Sequence, residues 1–313
     1  MLGYGETAKP HDIASYTALS VAADLAGFLD ALDIKKPIIL VGHDLGAVAS
    51  WAFARRYTQR VRMLVCISVP YEAPLPRSFT VPEYVKSVGP DLIGYWLFTN
   101  EKDAGAIIGR EVPRFIDTVY RSYKTFVPEF WKAGTVKGIL TGKIDPPGPS
   151  DLMGEKEREF YIDFFKASGL DAPTKYYKST PELHLALNGI DCINVTSLEL
   201  DLDPVLPMSL PILFVAPDNE PFTAQERIDA TKSYVPSQEV IRIENCAHFA
   251  LLEKPDETTS IIGDWVEKML KAEGLKHGAA KLYVEGRSRF ESFLGKTAHR
   301  VLVHEKVLDP EED

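Results

Sequence analysis

The sequence has few cysteines, no long apolar run and no excess of basic residues. Its three cysteines, Cys66, Cys192 and Cys246, show no metal-binding or redox spacing, which indicates reduced thiols in an intracellular protein. No apolar run approaches the roughly 20 residues that span a bilayer, so we predict no membrane span. The 35 basic and 45 acidic residues give a net charge of −10, which argues against nucleic-acid binding. The first residues lack the basic start and apolar stretch of a secretory signal, so we expect a cytoplasmic protein.

The composition is that of a folded globular protein. Apolar residues make up 45% of the chain and charged residues 26%, which excludes disordered, collagen-like and coiled-coil classes. Short apolar runs at 38–41 and 63–69 are typical of buried strands, and a helical pattern begins between them at Ala47. Similar runs return at 211–216 and 239–243. Strands that alternate with helices predict an α/β fold with a mostly parallel sheet and helices on both faces.

Two amphipathic helices frame these strands. The first is predicted over 13–32, with an apolar stripe of Val21, Leu25, Phe28, Leu29 and Leu32. The last follows the fourth strand, with Ile261, Ile262, Trp265, Val266 and Met269 on one face.

The segment 71–205 differs in character from the rest of the chain. It is rich in proline, tyrosine and phenylalanine, and shows short helical stretches instead of strands. We therefore predict a discontinuous core over 1–70 and 206–275, interrupted by a helical cap over 71–205. Residues 276–313 are predicted to form a loosely docked tail.

A motif between the first strand and its helix carries the chemistry. Gly42-His43-Asp44-Leu45-Gly46 has the form G-x-nucleophile-x-G, with Asp44 where esterases place serine. We expect both glycines to be required because side chains there would clash with the neighbouring elements. The N–H of Leu45, at the helix start, is expected to point toward the reacting centre as an oxyanion donor. The alternative is an ordinary tight turn in which Asp44 caps the helix.

Three motifs together resemble one family. Gly3-Tyr4-Gly5-Glu6-Thr7, the motif around Asp44, and Asn245-Cys246-Ala247-His248-Phe249 are similar to segments of soluble epoxide hydrolases of the α/β-hydrolase fold. The resemblance covers about residues 2–272, and the cap looks like the fungal type. This branch of the fold, with an aspartate nucleophile, also includes haloalkane and fluoroacetate dehalogenases.

The resemblance implies a role for each residue of a catalytic triad. Asp44 would attack an epoxide carbon, and His248 would activate the water that hydrolyses the resulting ester. The orienting acid should follow the strand at 211–216, where Asp218 and Glu220 are both candidates. The family spacing, counted from Pro211, favours Glu220.

The resemblance also implies two tyrosines in the cap that protonate the alkoxide. Tyr95 and Tyr177 occupy the matching segments, which would leave Tyr176 as a packing residue or pocket wall. Leu45 departs from the tryptophan that many members carry after the nucleophile. Because it offers no side-chain donor for a departing halide, the dehalogenase reading is disfavoured, and the pocket floor is expected to differ.

Some family features are missing from this sequence. Four strands and a His-Gly-x-Pro motif normally precede the Gly-Tyr-Gly loop, which here begins directly after Met1. We therefore expect an N-terminally truncated chain with half of its oxyanion hole absent. The strand at 37–41 would then lie at an open sheet edge, through which the protein could self-associate.

The leading hypothesis is a hydrolase that opens a small apolar or polyketide-like epoxide with water, without a cofactor or metal. The resemblance of the cap suggests a role in secondary metabolism. The alternatives are a truncated or degenerate non-catalytic protein, and a dehalogenase or ester hydrolase of the same fold.

Overall fold

The core of the protein is a four-stranded parallel sheet. The computed structural model describes residues 1–73, 81–126, 128–182 and 203–272. Within these ranges the strands follow the order β1-β2-β3-β4, which is also their order along the chain. The strands are β1 (Ile38–His43), β2 (Val61–Ile67), β3 (Ile212–Pro217) and β4 (Gln238–Ile243).

The two central strands are the most buried part of the molecule. All residues of β3 and all but one of β2 are buried, because both strands have a neighbour on each side and helices over each face. In β1 most residues are only partly buried, and Val41 is 41% exposed. Among the described residues β1 therefore forms an apolar edge of the sheet, as its sequence predicts. Self-association through this edge stays a prediction.

Helices cover the sheet on both faces and build the cap. In chain order they are α1 (Ala18–Ala31), α2 (Leu45–Arg56), α3 (Val81–Val88), α4 (Pro90–Ile93), α5 (Tyr95–Thr99), α6 (Ala104–Arg110), α7 (Val112–Val119), α8 (Thr135–Leu140), α9 (Glu155–Ser168), α10 (Asp171–Glu182), α11 (Gln225–Thr231), α12 (Ala250–Glu253) and α13 (Pro255–Ala272). Helices α1 and α2 share one apolar cluster with the sheet, and α13 packs on the opposite face. In the described part of the chain, no helix combines the length and the apolar character needed to cross a bilayer.

The apolar stripe predicted for the first helix is partly wrong. Phe28 and Leu32 are 58% and 54% exposed. The residues that α1 contributes to the cluster shared with α2 include Leu19, Ala22, Ala26 and Leu29. The two alanines on this face allow α1 and α2 to approach closely. A sequence analysis that counts only large apolar side chains does not detect such a face.

The cap lies between β2 and β3 in the chain and consists of α3 to α10. Two apolar clusters hold it together, one around Phe98, Ile108 and Ile116 and a smaller one around Tyr84 and Trp96. Its described residues contain helices and no strand, as the sequence predicts. The part of the cap over 183–202, which includes Cys192, and the predicted tail over 276–313 lie outside the described residues.

Hydrogen bonds from the cap hold the first segment of the chain. The hydroxyl of Tyr176 in α10 donates to the carbonyl of Leu2 at 2.9 Å, and Lys175 Nζ donates to the carbonyl of Pro10 at 2.8 Å. The loop around Tyr4 is thereby fixed against the cap, next to the end of the sheet where β1 meets α2.

Candidate active site

Asp44 occupies a strained turn at the carboxyl end of β1. Its backbone has φ 54° and ψ −123°, a conformation that side-chain-bearing residues rarely adopt. The N–H of Asp44 donates to the carbonyl of Ile67 in β2 at 3.3 Å, and the carbonyl of Asp44 accepts the first hydrogen bond of α2, from Ala47, at 2.9 Å. The carboxylate makes no capping hydrogen bond to α2, so the helix-cap alternative is wrong.

The two glycines of the turn have different roles. A Cβ atom on Gly42 would lie 2.5 Å from Ser50 Oγ and collide with the carbonyl of Gly46. A Cβ atom on Gly46 would meet nothing within 4 Å. The expectation that both glycines are required is therefore wrong for Gly46, which instead borders open space above the helix start.

This difference predicts opposite outcomes for two alanine substitutions. Gly42→Ala should lower the free energy of unfolding by at least about 1–3 kcal/mol, because the added methyl group meets backbone atoms that cannot move aside. Gly46→Ala should change it by less than about 1 kcal/mol, since alanine also favours the helix that starts there. Urea unfolding of both variants measures the difference. An equal loss in the two variants would contradict the steric argument.

His248 lies between two carboxylates. Its Nδ1 is 2.6 Å from Glu220 Oε2, and its Nε2 is 3.4 Å from Asp44 Oδ2. Glu220 is 3% exposed, and its other oxygen accepts a hydrogen bond from the backbone N–H of Phe222 at 3.3 Å. The carboxylate of Glu220 is thus fixed, and it orients the imidazole so that Nε2 faces Asp44.

Asp218, the other candidate acid, contacts a different group. Its Oδ1 accepts a hydrogen bond from the backbone N–H of Cys246 at 3.1 Å. The N–H of Asn219 donates to the carbonyl of Cys246 at 2.9 Å. The structure therefore places Glu220 against His248, while Asp218 braces the loop that carries the histidine.

The charges of this group shift its protonation equilibria. Burial raises the pKa of Asp44, but the hydrogen bond and the charge of His248 outweigh burial and lower that pKa to about 2. Burial lowers the pKa of His248, but Glu220 and Asp44 outweigh it and raise that pKa to about 10. At neutral pH Asp44 is therefore a carboxylate beside an imidazolium.

His43, the residue before Asp44, holds the loop that carries His248. Its Nε2–H donates to the backbone carbonyl of His248 at 2.8 Å, and Ser68 Oγ donates to the same carbonyl at 3.1 Å. Burial and the charge of His248 lower the pKa of His43 to about 4, which keeps this imidazole neutral. The sequence reading of the motif missed this role, because the partner lies 205 residues away.

An apolar cavity of about 320 Å³ opens above Asp44. Tyr95 and Tyr177 both line it, with ring centroids 5.7 Å apart. Burial and the negative charge of nearby Asp44 raise the pKa of Tyr95 far above its usual value, so its phenol keeps its proton. Burial raises the pKa of Tyr177 likewise, with nearby Tyr95 and Asp44 adding to the shift. The structure thus brings the two predicted tyrosines and the predicted nucleophile to one cavity.

Tyr4 and Tyr120 line the same cavity, and the sequence reading did not single them out. For each of them, burial and the charge of Asp44 are among the causes that raise the pKa of the phenol. A motif around Tyr4 was visible in the sequence, but nothing local indicated that Tyr120 lines the cavity above Asp44.

Leu45 stands at the junction of two cavities. Its backbone N–H lies close to the Asp44 carboxylate and helps to lower the pKa of that group. Its side chain, with Asp44, Tyr95 and Tyr177, borders both the main cavity and a smaller one of about 140 Å³. Two chambers therefore meet at the aspartate.

Comparison with known proteins identifies relatives of this chain. A family model described as alpha/beta hydrolase fold matches residues 1–255. Bifunctional epoxide hydrolase 2 of Mus musculus is 26% identical over 270 residues, covering 85% of this chain but 46% of the mouse protein. The chain thus spans about half the length of this relative. Epoxide hydrolase 3 of Siraitia grosvenorii is 27% identical over 284 residues, covering 85% of this chain and 81% of that protein.

Solved structures share the fold. An epoxide hydrolase from an endophytic Streptomyces superposes with a TM-score of 0.70 at 20% identity, covering 86% of this chain and 80% of that one. At this identity the likeness concerns the fold alone: a parallel sheet with helices on both faces and a helical cap.

Proposed function

Because this chain belongs to the alpha/beta hydrolase fold family, we propose that it opens an epoxide to a vicinal diol through a covalent ester on Asp44. One observation carries the proposal: Asp44, His248 and Glu220 form a connected run with gaps of 3.4 Å and 2.6 Å, and its first two members line an apolar cavity that two protonated tyrosines also line. In this proposal residues 1–70 and 206–275 form the hydrolase core, and 71–205 form the cap that encloses the substrate.

In the first proposed step, a carboxylate oxygen of Asp44 attacks an epoxide carbon and the C–O bond of the ring breaks. The departing oxygen takes a proton from Tyr95 or Tyr177. A phenol with a raised pKa is a poor acid in the resting site, but it is well placed to share or give its proton to a far more basic alkoxide. The product is a hydroxyalkyl ester of Asp44.

Before the second step the phenolate regains its proton from the His248 imidazolium, which leaves the imidazole neutral. Nε2 of His248 then takes a proton from water, and the hydroxide attacks the ester carbonyl. The N–H of Leu45 stabilises the oxyanion that forms. Collapse of this intermediate releases the alkoxide of the diol, which takes the proton of the hydroxyl group just added, so that the Asp44 carboxylate and the His248 imidazolium of the resting site are both restored. Glu220 stabilises the imidazolium throughout this step.

The pocket supports an apolar substrate. Apart from Asp44, His248, the tyrosines and a few threonines, the main cavity is lined mostly by aliphatic and aromatic side chains, including Phe98, Ile108, Phe115, Phe126, Phe165 and Leu170. An apolar, polyketide-like epoxide from secondary metabolism would suit such a lining. The epoxide hydrolases among its relatives support the same reaction class.

The charges around His248 predict a distinctive pH dependence. Esterification neutralises Asp44, so the pKa of His248 should fall below the value of about 10 that it has beside two carboxylates. Ester hydrolysis needs the neutral imidazole, so its rate should rise with pH through this lowered pKa and then level off. Ester formation should stay constant down to about pH 4, since the pKa of Asp44 is about 2. Single-turnover rates over pH 4–10 measure both steps, and a hydrolysis limb with a pKa of about 10 or more would contradict the charge argument.

A labelling experiment tests the proposed function. In one turnover in H₂¹⁸O with excess enzyme, the oxygen added to the diol should come from Asp44, so that the label appears in the aspartate and not in the first diol released. Label in the first diol would indicate direct attack by water. Absence of any diol from a panel of apolar epoxides would favour the non-catalytic alternative.

A further inference from the structure

One cap residue is hydrogen-bonded to core side chains near Glu220 and His248. We call residues 218–220 the acid loop and residues 245–249 the base loop. Tyr123 lies in the segment between α7 and the 3-10 helix at Pro128–Trp131. Its backbone N–H donates to Glu253 Oε1 at 2.7 Å, and its carbonyl accepts a hydrogen bond from Asn219 Nδ2 at 3.2 Å. Both backbone groups of this cap residue are thus bonded to side chains of the core.

Glu253 is also bonded to the base loop. Its second oxygen, Oε2, accepts a hydrogen bond from the N–H of Ala247 at 2.8 Å, and Ala247 directly precedes His248. One carboxylate at the end of α12 therefore joins the cap to the residue beside the base. Hydrogen bonds from N–H groups to an ionised carboxylate are shorter and stronger than neutral ones.

Asn219 joins the cap to the acid loop in a similar way. It directly precedes Glu220, and its own N–H donates to Cys246 in the base loop. The acid loop, the base loop and Tyr123 therefore form one hydrogen-bonded unit.

The same cap segment packs against the base loop at a second point. The ring of Tyr120 stacks on Phe249 with a centroid distance of 4.5 Å and an interplanar angle of 16°, and Phe249 is the residue after His248. His248 is therefore flanked by Ala247, which is linked to the cap through Glu253, and by Phe249, which stacks on Tyr120 of the cap.

We propose that Glu253 is a positioning residue that couples the seating of the cap segment 120–126 to the alignment of His248 between Glu220 and Asp44. The proposal rests on the proposed function, because its consequence is a slower hydrolysis of the Asp44 ester when the coupling is broken. Ester formation, which does not use His248 as a base, should be largely spared.

The test compares Glu253→Gln with Glu257→Gln. Glutamine keeps the shape of the side chain but turns an NH₂ group toward one of the two backbone donors, so one bond of the pair is lost. Glu257 lies four residues on and pairs with Lys254 at 3.1 Å on the surface, so its replacement removes the same charge without touching either loop.

In Glu253→Gln, single-turnover hydrolysis of the ester should slow about 10- to 100-fold, the effect expected from a small misplacement of a catalytic group. Ester formation should change by less than about threefold, and Glu257→Gln should match the wild type in both steps. Because the ester then accumulates, kcat and KM should fall together. A purely structural role would lower kcat through a smaller active fraction and leave KM unchanged, and that result, or unchanged hydrolysis, would overturn the proposal.

Amide hydrogen exchange gives a readout that does not need turnover. In Glu253→Gln the amides of Tyr123 and Ala247 should exchange faster together, while Glu257→Gln leaves both unchanged. Acceleration of one amide without the other would refute the coupling. If the wild type formed no diol, the proposed function would fail, and the exchange data alone would decide whether Glu253 couples the two loops.

A second variant guards against misfolding of the first. Asn219→Ala removes the bond to the Tyr123 carbonyl from an exposed side chain. It should slow ester hydrolysis in the same direction by a smaller factor, about two- to fivefold, as expected for one neutral hydrogen bond. If Glu253→Gln does not fold, normal hydrolysis in Asn219→Ala would by itself exclude the coupling.

Discussion

A His248→Gln variant should react once with an epoxide and then stall, with diol release about 10²- to 10⁴-fold slower than in the wild type. In the wild type, Nε2 of His248 faces Asp44 Oδ2 at 3.4 Å. The imidazole is therefore well placed to take a proton from the water that attacks the ester. Glutamine cannot accept the proton of that water, but it leaves the Asp44 carboxylate free to attack. Intact-mass measurement should show the protein heavier by the mass of one epoxide.

Asp44→Asn is the matched control for this experiment. It should give neither the adduct nor the diol, because an amide is a poor nucleophile. Both variants should fold, since neither substitution changes the size of the side chain greatly. Adduct formation in Asp44→Asn, or normal turnover in His248→Gln, would contradict the assigned roles.

Loss of Tyr95 and Tyr177 together should have the second large effect, and this effect should fall on ester formation. In Tyr95→Phe/Tyr177→Phe, ester formation should slow by about 10²- to 10⁴-fold, because both phenols proposed to protonate the opening ring are gone. Each single variant should lose less, since the rings lie 5.7 Å apart and the remaining phenol can still act. Hydrolysis of an ester already formed should be nearly unchanged. Pre-steady-state kinetics separates the two steps.

Tyr176→Phe is the control for the tyrosine pair. Tyr176 borders the same cavity, but its hydroxyl donates to the carbonyl of Leu2. Its removal should therefore change ester formation by less than roughly fivefold, the scale of one neutral hydrogen bond. A loss as large as that of the double variant would mean that general bulk or packing, and not proton donation, explains the result.

Features encoded within a few consecutive residues could be predicted from the sequence. The turn at Asp44 is visible because strand, glycine and helix follow one another directly in the chain. The position of His248 is visible for the same reason, as it follows a strand and precedes a long helix. The count from Pro211 favoured Glu220, and the structure places that residue, and not Asp218, against the imidazole.

Features that depend on distant contacts could not be predicted. Nothing near His43 indicates that its ring supports a carbonyl 205 residues later, and nothing near Glu253 indicates that it bonds to Tyr123. Phe28 is exposed because α1 packs on α2 through a face that contains two alanines. Helical periodicity alone does not indicate which of two possible faces is buried. The free space around Gly46 also had no local signal, because it depends on how distant segments pack around the helix start.

The order of the strands has a consequence for folding. Asp44 follows β1 and His248 follows β4, which are the first and last strands of the described sheet and lie at its opposite edges. The two side chains therefore meet only after all four strands have paired and the loops beyond them have closed. Contacts between residues so far apart in the chain are slow to form, because the intervening segment loses conformational entropy before the contacts stabilise the closed chain. Reactivity of Asp44 toward an epoxide therefore reports the completion of folding, and a partly folded chain with native helices would contain the nucleophile without its base.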